Sequence, residues 1–353
     1  MAVSRVAPQS PGCFVYVANA GDGEIAVLAV RSAESEPQRV QSVPITEAGR
    51  KGGMSTPMAL SPDRSRLYVA QRLPPLPLTT FAVDRRSGRL TPAGTARLPG
   101  STPYVLTDRT GRVLVSLANP GATLAVSAIG RDGRVASHAH QVLHIGHKLH
   151  CIAVDAGNAN VYVSSTDDGV IHHFAFDAGA GMLAPADPPA VELGNGGDPR
   201  HMAFSPDGRF LHVTTEAGGR VASFAIDPAS GRLHEIADVA MMPDGFSARP
   251  MTADIHLTPD GRFLYASERV LDTIVAYRVD AETGRLSLIE AVPTEAAPRA
   301  FAIAPDGAFM LVAGQKSGRL AAYAIDGATG RLTPGASIAI GAEPNWIEFV
   351  ERG

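Results

Sequence analysis

Apolar and polar residues alternate along this chain in short runs, each bounded by Gly, Pro, Asp or Ser. A period of two turns one face of a strand inward, and no stretch sustains the 3.6-residue period of an amphipathic helix, so the pattern predicts an all-β protein. The runs themselves recur. One module is an apolar strand, a Ser-Pro-Asp-Gly turn and a second apolar strand, clearest at residues 201–213 (His-Met-Ala-Phe-Ser-Pro-Asp-Gly-Arg-Phe-Leu-His-Val). Copies stand at 58–63, 255–260 and 301–306, with degenerate ones at 104–111 and 151–155. Pro presets φ in such a turn and Gly accepts the positive φ that closes it. A second module, an alternating strand ending in Asp and followed by Gly-Arg-Leu, reads as a hairpin at 81–90, 224–233, 277–286 and 323–332.

Aligned on Val69, Val115, Val163, Val213, Ala266 and Val312, the second strands of the first module recur every 46 to 53 residues. Four short antiparallel strands in that length make a propeller blade, and a repeat of this period signals a ring. Six blades are complete. Residues 14–20 are a second strand with no first strand before it, and residues 344–350 a first strand with nothing after it. Pairing them completes a seventh blade and removes the open edges of the array. The expectation is a seven-bladed β-propeller closed by its N- and C-terminal strands, with residues 1–353 as one propeller domain and residues 1–12 as a disordered leader.

Composition narrows the function. A formal charge of −4 and a pI near 6.3 give no basic field for nucleic acid. No apolar run approaches the roughly 18 residues of a membrane span. Cys13 and Cys151 cannot make a disulfide framework, which points to a reducing, cytoplasmic location. Arg far outnumbers Lys, which stands only at 51, 148 and 316, a bias of composition more than of function. P-loops, nucleophile elbows and zinc-type Cys pairs are missing from the sequence.

Candidate chemistry comes from polar residues at repeat positions that are otherwise apolar. In a propeller, the start of each first strand and the end of each second strand meet at one mouth of the central channel. The first slot holds Thr56, Thr102, His150, Arg200, Ala253, Arg299 and, approximately, Asn345, with His201 and Asp254 one residue further in. The second holds Arg72, Ala118, Thr166, Glu216, Arg269 and Gln315, with Asn119 and Lys316 one residue beyond. Arg presents a bidentate fork to carboxylates and phosphates, so this is a ring of anion-binding groups around a candidate acid/base pair. Taken alone, Glu216 and Arg269 would read as an inter-blade ion pair and His150 as a core histidine. Their convergence with Arg200 and Arg299 favours chemistry. His138, His140, His144, His147 and His150 have metal-like spacings, but the first two fall on an outer strand and the next two on the loop after it. No thiolate or carboxylate completes a set, and no metal site is expected.

At Asp198-Pro-Arg-His-Met-Ala-Phe204, Met241-Met-Pro-Asp-Gly-Phe-Ser247, residues 253–262, Pro298-Arg-Ala-Phe301 and Ala313-Gly-Gln-Lys-Ser317 the sequence resembles the lactonase family of seven-bladed propellers. That family includes bacterial 6-phosphogluconolactonases, the nearer likeness, and fungal carboxy-muconate lactonizing cycloisomerases. The resemblance covers nearly the whole chain and is strongest over residues 198–350. It implies a catalytic set of His150, Arg200, Glu216 and Arg269, with Arg299, Arg72 and Lys316 holding a phosphate at the rim; the repeat positions add Gln315 and, on the strand beside the arginine and behind it, His201 and Asp254 as substrate-binding candidates. It further implies hydrolysis of an anionic sugar lactone, with His150 or Glu216 as general base and no metal or organic cofactor. Residues 248–252 (Ala-Arg-Pro-Met-Thr) and the missing Asn before Glu216 depart from the family pattern, and they bear on the substrate rather than the reaction class. Other aldonolactones, muconate cycloisomerisation and a non-catalytic binding propeller are the alternatives. The expected partner is a small molecule, neither nucleic acid nor membrane, and the sequence leaves monomer and dimer open.

Overall fold

The computed structural model describes residues 12–46, 51, 53–194 and 197–353, so the expected leader lies outside the described residues up to residue 11. Among the described residues, twenty-eight strands form seven four-stranded antiparallel sheets and no α-helix occurs. The innermost strands are β4 (Met58–Leu60), β8 (Val105–Thr107), β12 (Leu149–Val154), β16 (Pro199–Phe204), β20 (Thr252–Leu257), β24 (Pro298–Ile303) and β28 (Pro344–Glu351). β28 pairs antiparallel with β1 (Cys13–Asn19), followed outward by β2 (Glu24–Val30) and β3 (Gln38–Pro44), so the two ends of the chain build one blade. The seven-bladed ring and its closure match the repeat arithmetic. Every residue used to align the second strands lies on the second strand of its blade, Val213 opposite Met202 and Ala266 opposite Ile255.

The sheets stack through their apolar faces. Val15, Val17 and Leu28 of the closing blade pack against Phe309, Leu311 and Ala313 of the blade before it, all buried. Four second-strand tyrosines also reach sideways. The Tyr16, Tyr68, Tyr162 and Tyr265 hydroxyls donate to the carbonyls of Gly88, Gly133, Gly231 and Gly330 in the next blade, at 2.5–3.1 Å. Gly88 and Gly330 belong to Gly-Arg-Leu turns, have φ of +74° and +77°, and lie so close to Phe14 and Phe263 that a Cβ would stand 2.3 Å from the ring. The turn glycine is therefore both a backbone requirement and an inter-blade contact.

The feature that positions the site is a β-bulge at the start of five innermost strands. The register between first and second strands slips by one residue between Leu149 and Ile152, Pro199 and Met202, Thr252 and Ile255, and Pro298 and Ala300, and again beside Asn345 in the closing blade. A bulge sets two residues against one and re-aims their side chains. Here it falls on the first slot, at His150, Arg200, Ala253, Arg299 and Asn345. The amides it frees are accepted by second-strand hydroxyls: Cys151 N by Ser164 Oγ at 2.9 Å, His201 N by Thr214 Oγ1 at 3.2 Å, Asp254 N by Ser267 Oγ at 3.0 Å. Thr56 and Thr102 differ from expectation, because β4 and β8 are only three residues long and begin after them.

Candidate active site

At the mouth, Glu216 is the hub. Its Oε1 accepts from Arg269 Nη2 at 2.9 Å and lies 3.4 Å from Arg200 Nε, while Oε2 accepts from Lys148 Nζ at 3.2 Å. Burial alone would raise its pKa, but Arg200, Lys148 and Arg269 outweigh that and hold the carboxyl down at about 2. The inter-blade ion pair weighed from the sequence exists, with two further cations on the same carboxylate. Lys148 was not singled out from the sequence. Its signal is that it is one of three lysines and stands two residues before His150; its φ of +45° belongs to the turn that brings it over Glu216.

Arg200 is 2% exposed. Its Nη1 donates to the Ala253 carbonyl and its Nε faces Glu216, while Nη2 makes no hydrogen bond among the described residues. Arg269 donates through Nε to the Met251 carbonyl at 3.0 Å and through Nη2 to Glu216 and the Thr252 carbonyl, leaving Nη1. Burial and the charge of Arg269 lower the Arg200 pKa to about 10. The pair is thus fixed by Glu216 and by backbone carbonyls, with one terminal nitrogen of each uncommitted.

Arg299 and Arg72 differ from these two. Arg299 makes no side-chain hydrogen bond among the described residues, and burial together with Arg200, Arg269 and Arg72 lowers its pKa to about 9. Among the described residues Arg72 donates to hydroxyls, Nε to Ser101 Oγ and Nη1 to Ser55 Oγ, both at 3.2 Å. Lys316 is exposed on the rim beside half-buried Gln315, and both loop amides are held by the carbonyls of Ala296 and Ala297. Glu216 is shared by Arg200, Arg269 and Lys148, whereas Arg299 and Arg72 make no ion pair among the described residues.

His150 is half-buried on β12. Its Nδ1 is buried without a hydrogen-bond partner, and burial followed by Arg200, His201 and Arg299 pushes its pKa well below the ordinary histidine value. The ring is neutral at neutral pH. His201 and Asp254 pair with each other, Nδ1 to Oδ1 at 2.7 Å, below the cation ring. The remaining histidines of the cluster spread over the blade. His138 is exposed, His140 Nε2 lies 2.8 Å from the Gly181 carbonyl, and His147 Nδ1 lies 2.7 Å from Asp168 Oδ1. His144 ends the outer strand β11 (Gln141–His144) rather than lying on the loop after it. Among the described residues no group of three or more His, Cys, Asp or Glu side chains could hold a metal ion.

Comparison with known proteins gives concordant results. The profile of the family described as "Lactonase, 7-bladed beta-propeller" matches residues 44–349. A 6-phosphogluconolactonase of Pectobacterium carotovorum is 35% identical over 299 residues, covering 84% of this chain and 89% of the relative. That of Sodalis glossinidius is 36% identical over 300 residues, covering 85% and 89%. Among solved structures, the periplasmic gluconolactonase of Pseudomonas aeruginosa superposes with a TM-score of 0.87 at 25% identity, covering 97% of this chain and all of that one.

Proposed function

The chain belongs to the lactonase family of seven-bladed β-propellers, and from that premise we propose that it is a sugar lactone hydrolase acting on 6-phospho-D-glucono-1,5-lactone. One observation carries the choice of an anionic substrate: Arg299 and Arg72 stand at the mouth with no carboxylate partner among the described residues, next to a catalytic cluster whose cations already share Glu216. A phosphoryl group supplies the missing counter-charge, and Lys316 extends the cradle at the rim.

His150 is the general base in this reading. Glu216, held by three cations, is a weak base, whereas the imidazole is neutral and, with Nδ1 buried, offers Nε2 to the water. Water adds to the lactone carbonyl as Nε2 takes its proton. Arg200 Nη2 and Arg269 Nη1 stabilise the tetrahedral oxyanion. Collapse breaks the bond from the carbonyl carbon to the ring oxygen, the imidazolium returns the proton to that oxygen, and the new carboxylic acid ionises. Glu216 orients the two guanidinium groups and balances their charge.

The unphosphorylated sugar lactone is the second reading, favoured by the likeness to a periplasmic gluconolactonase. The buried thiols of Cys13 and Cys151 support a cytoplasmic location over a periplasmic one; among the described residues no helix is long and apolar enough to cross a membrane. Purified protein with fresh phosphogluconolactone and gluconolactone, each corrected for spontaneous hydrolysis, tests the assignment. Faster turnover of the phosphorylated lactone supports it. No acceleration of either would sink it.

A further inference from the structure

Arg299 carries the choice of an anionic substrate, yet its side chain makes no hydrogen bond among the described residues, so its backbone has to aim it. That backbone is the bulge at the start of β24. Pro298 pairs with Gly314 and Ala300 with Ala313, and Arg299 falls between them without a partner. In the blades of β12, β16 and β20 the second-strand residue at this register is Ser164, Thr214 or Ser267, and its hydroxyl accepts an amide of the bulge. In the blade of β24 the same place is taken by Ala313, whose side chain has no acceptor to offer.

The neighbouring blade, that of β20, supplies acceptors instead. Ahead of Arg299 the Ala297 amide donates to Asp272 Oδ1 at 2.7 Å, and behind it the Phe301 amide donates to Asp254 Oδ2 at 3.2 Å. The two carboxylates grip the chain two residues to either side of the arginine. Both are themselves held. Asp254 Oδ1 accepts from His201 Nδ1 at 2.7 Å and from the Ile255 amide at 3.0 Å, while His256 Nε2 lies 3.3 Å from Oδ2. Its own amide donates to Ser267 Oγ at 3.0 Å, so one side chain ties β16, β20 and β24 together. Asp272 stands in the turn between β21 (Phe263–Glu268) and β22 (Thr273–Val279), where its carbonyl accepts the Thr294 amide at 2.8 Å. The blade of β24 holds the carbonyls of Ala296 and Ala297, through the Lys316 and Gln315 amides at 3.1 and 2.9 Å.

We infer that Asp254 and Asp272 are positioning residues for anion binding: from the neighbouring blade they fix the bulge that aims Arg299, in place of the hydroxyl its own blade lacks. Backbone amides on ionised acceptors make hydrogen bonds roughly twice as strong as neutral ones, which suits an anchor. Neither carboxylate makes an ion pair with Arg299, so the guanidinium is placed without being neutralised and its charge stays available to a ligand. The inference rests on the reading of Arg299 as the anion-binding cation.

The test is calorimetric titration of inorganic phosphate into the native protein, Asp254→Asn, Asp272→Gly, Arg299→Met and each aspartate variant combined with Arg299→Met. Asp254→Asn and Asp272→Gly should each weaken phosphate binding about 3- to 10-fold, since a displacement near 1 Å is enough to spoil a charge-assisted contact. Added to Arg299→Met, neither should weaken it further, because both act through that side chain. KM should rise more for the phosphorylated lactone than for the unphosphorylated one. A purely structural role would lower Tm and leave phosphate affinity unchanged. Asp272→Gly alters a half-buried turn position whose φ of +52° suits glycine, so it keeps the test open if Asp254→Asn fails to fold. Folded variants with native phosphate affinity, or losses that multiply with that of Arg299→Met, overturn the inference alone. A native protein that does not bind phosphate overturns the anionic-substrate reading and the inference with it. Binding is read without turnover, so either failure is distinct from that of the lactonase assignment.

Discussion

Replacing Glu216 by Gln keeps the shape of the hub and removes its charge. Lys148 then keeps Asp167 at 3.5 Å, but Arg200 and Arg269, with side chains only 2% and 8% exposed, lose their carboxylate. Folding depresses the Glu216 pKa from 4.5 to about 2, a difference worth about 3 kcal/mol at neutral pH. The side chain is 20% exposed, so solvent screening trims this to about 2–3 kcal/mol. For 353 residues that corresponds to a Tm lower by about 3–4 °C. A depressed carboxylate contributes fully above its unfolded pKa and loses its contribution as pH falls through the folded one. The deficit should therefore be constant from pH 6 to 8 and shrink below 4.5. Inorganic phosphate should raise the Tm of the variant more than that of the native protein, because an anion replaces the lost charge. Turnover should fall about 10²–10³-fold as Arg200 and Arg269 lose their orientation. Scanning calorimetry across pH, with and without phosphate, reads the first three effects. Equal Tm values at pH 7, or a deficit that grows on acidification, would refute the account of Glu216 as a shared counter-charge.

Three further outcomes are expected. Arg299→Met should raise KM for the phosphorylated lactone about 10- to 100-fold, the loss of one charge-assisted bond, with a smaller change for the unphosphorylated one; it should also raise Tm, since burial and like charges disfavour the arginine cation, and a lower Tm would contradict this. The acid limb of kcat/KM should lie below 6.5, because the lowered His150 pKa keeps the base unprotonated to lower pH; a limb at or above 6.5 removes His150 from that role. Native stability should decline as pH falls from 6.5 toward 4, because burial lowers His201 and His212 to about 4 and the unfolded chain takes up protons first; flat denaturant midpoints over that window would count against it.

The ring was legible because it is periodic: apolar alternation and Pro-Asp-Gly and Gly-Arg-Leu turns recur at fixed offsets, and closure follows from two half-blades. The cation ring was legible for the same reason, since polar residues at apolar repeat positions stand out. What could not be read were contacts set by non-periodic geometry. Lys148 reaches Glu216 through a left-handed turn peculiar to one blade. The Asp254–His256 contact joins residues two apart on one strand, where alternation would put both toward the channel but gives no distance. Position alone also could not separate Arg299, which lacks a partner among the described residues, from Arg200, which has one.

The bulge at the inner strands has a consequence for redesign. Three of the five bulged blades support the bulge with a single hydroxyl on the neighbouring strand: Ser164 beside His150, Thr214 beside Arg200 and Ser267 beside Ala253. The apolar stacking faces take no part in that unit of two bulge residues and one hydroxyl. Specificity can therefore be edited in those three blades as a three-residue cassette, within an unchanged scaffold. Deleting one bulge residue does the opposite: it restores the pairing register and turns the preceding side chain away from the mouth. Cassette substitutions should yield folded proteins with altered ligands, and single deletions folded proteins with a missing tooth in the ring.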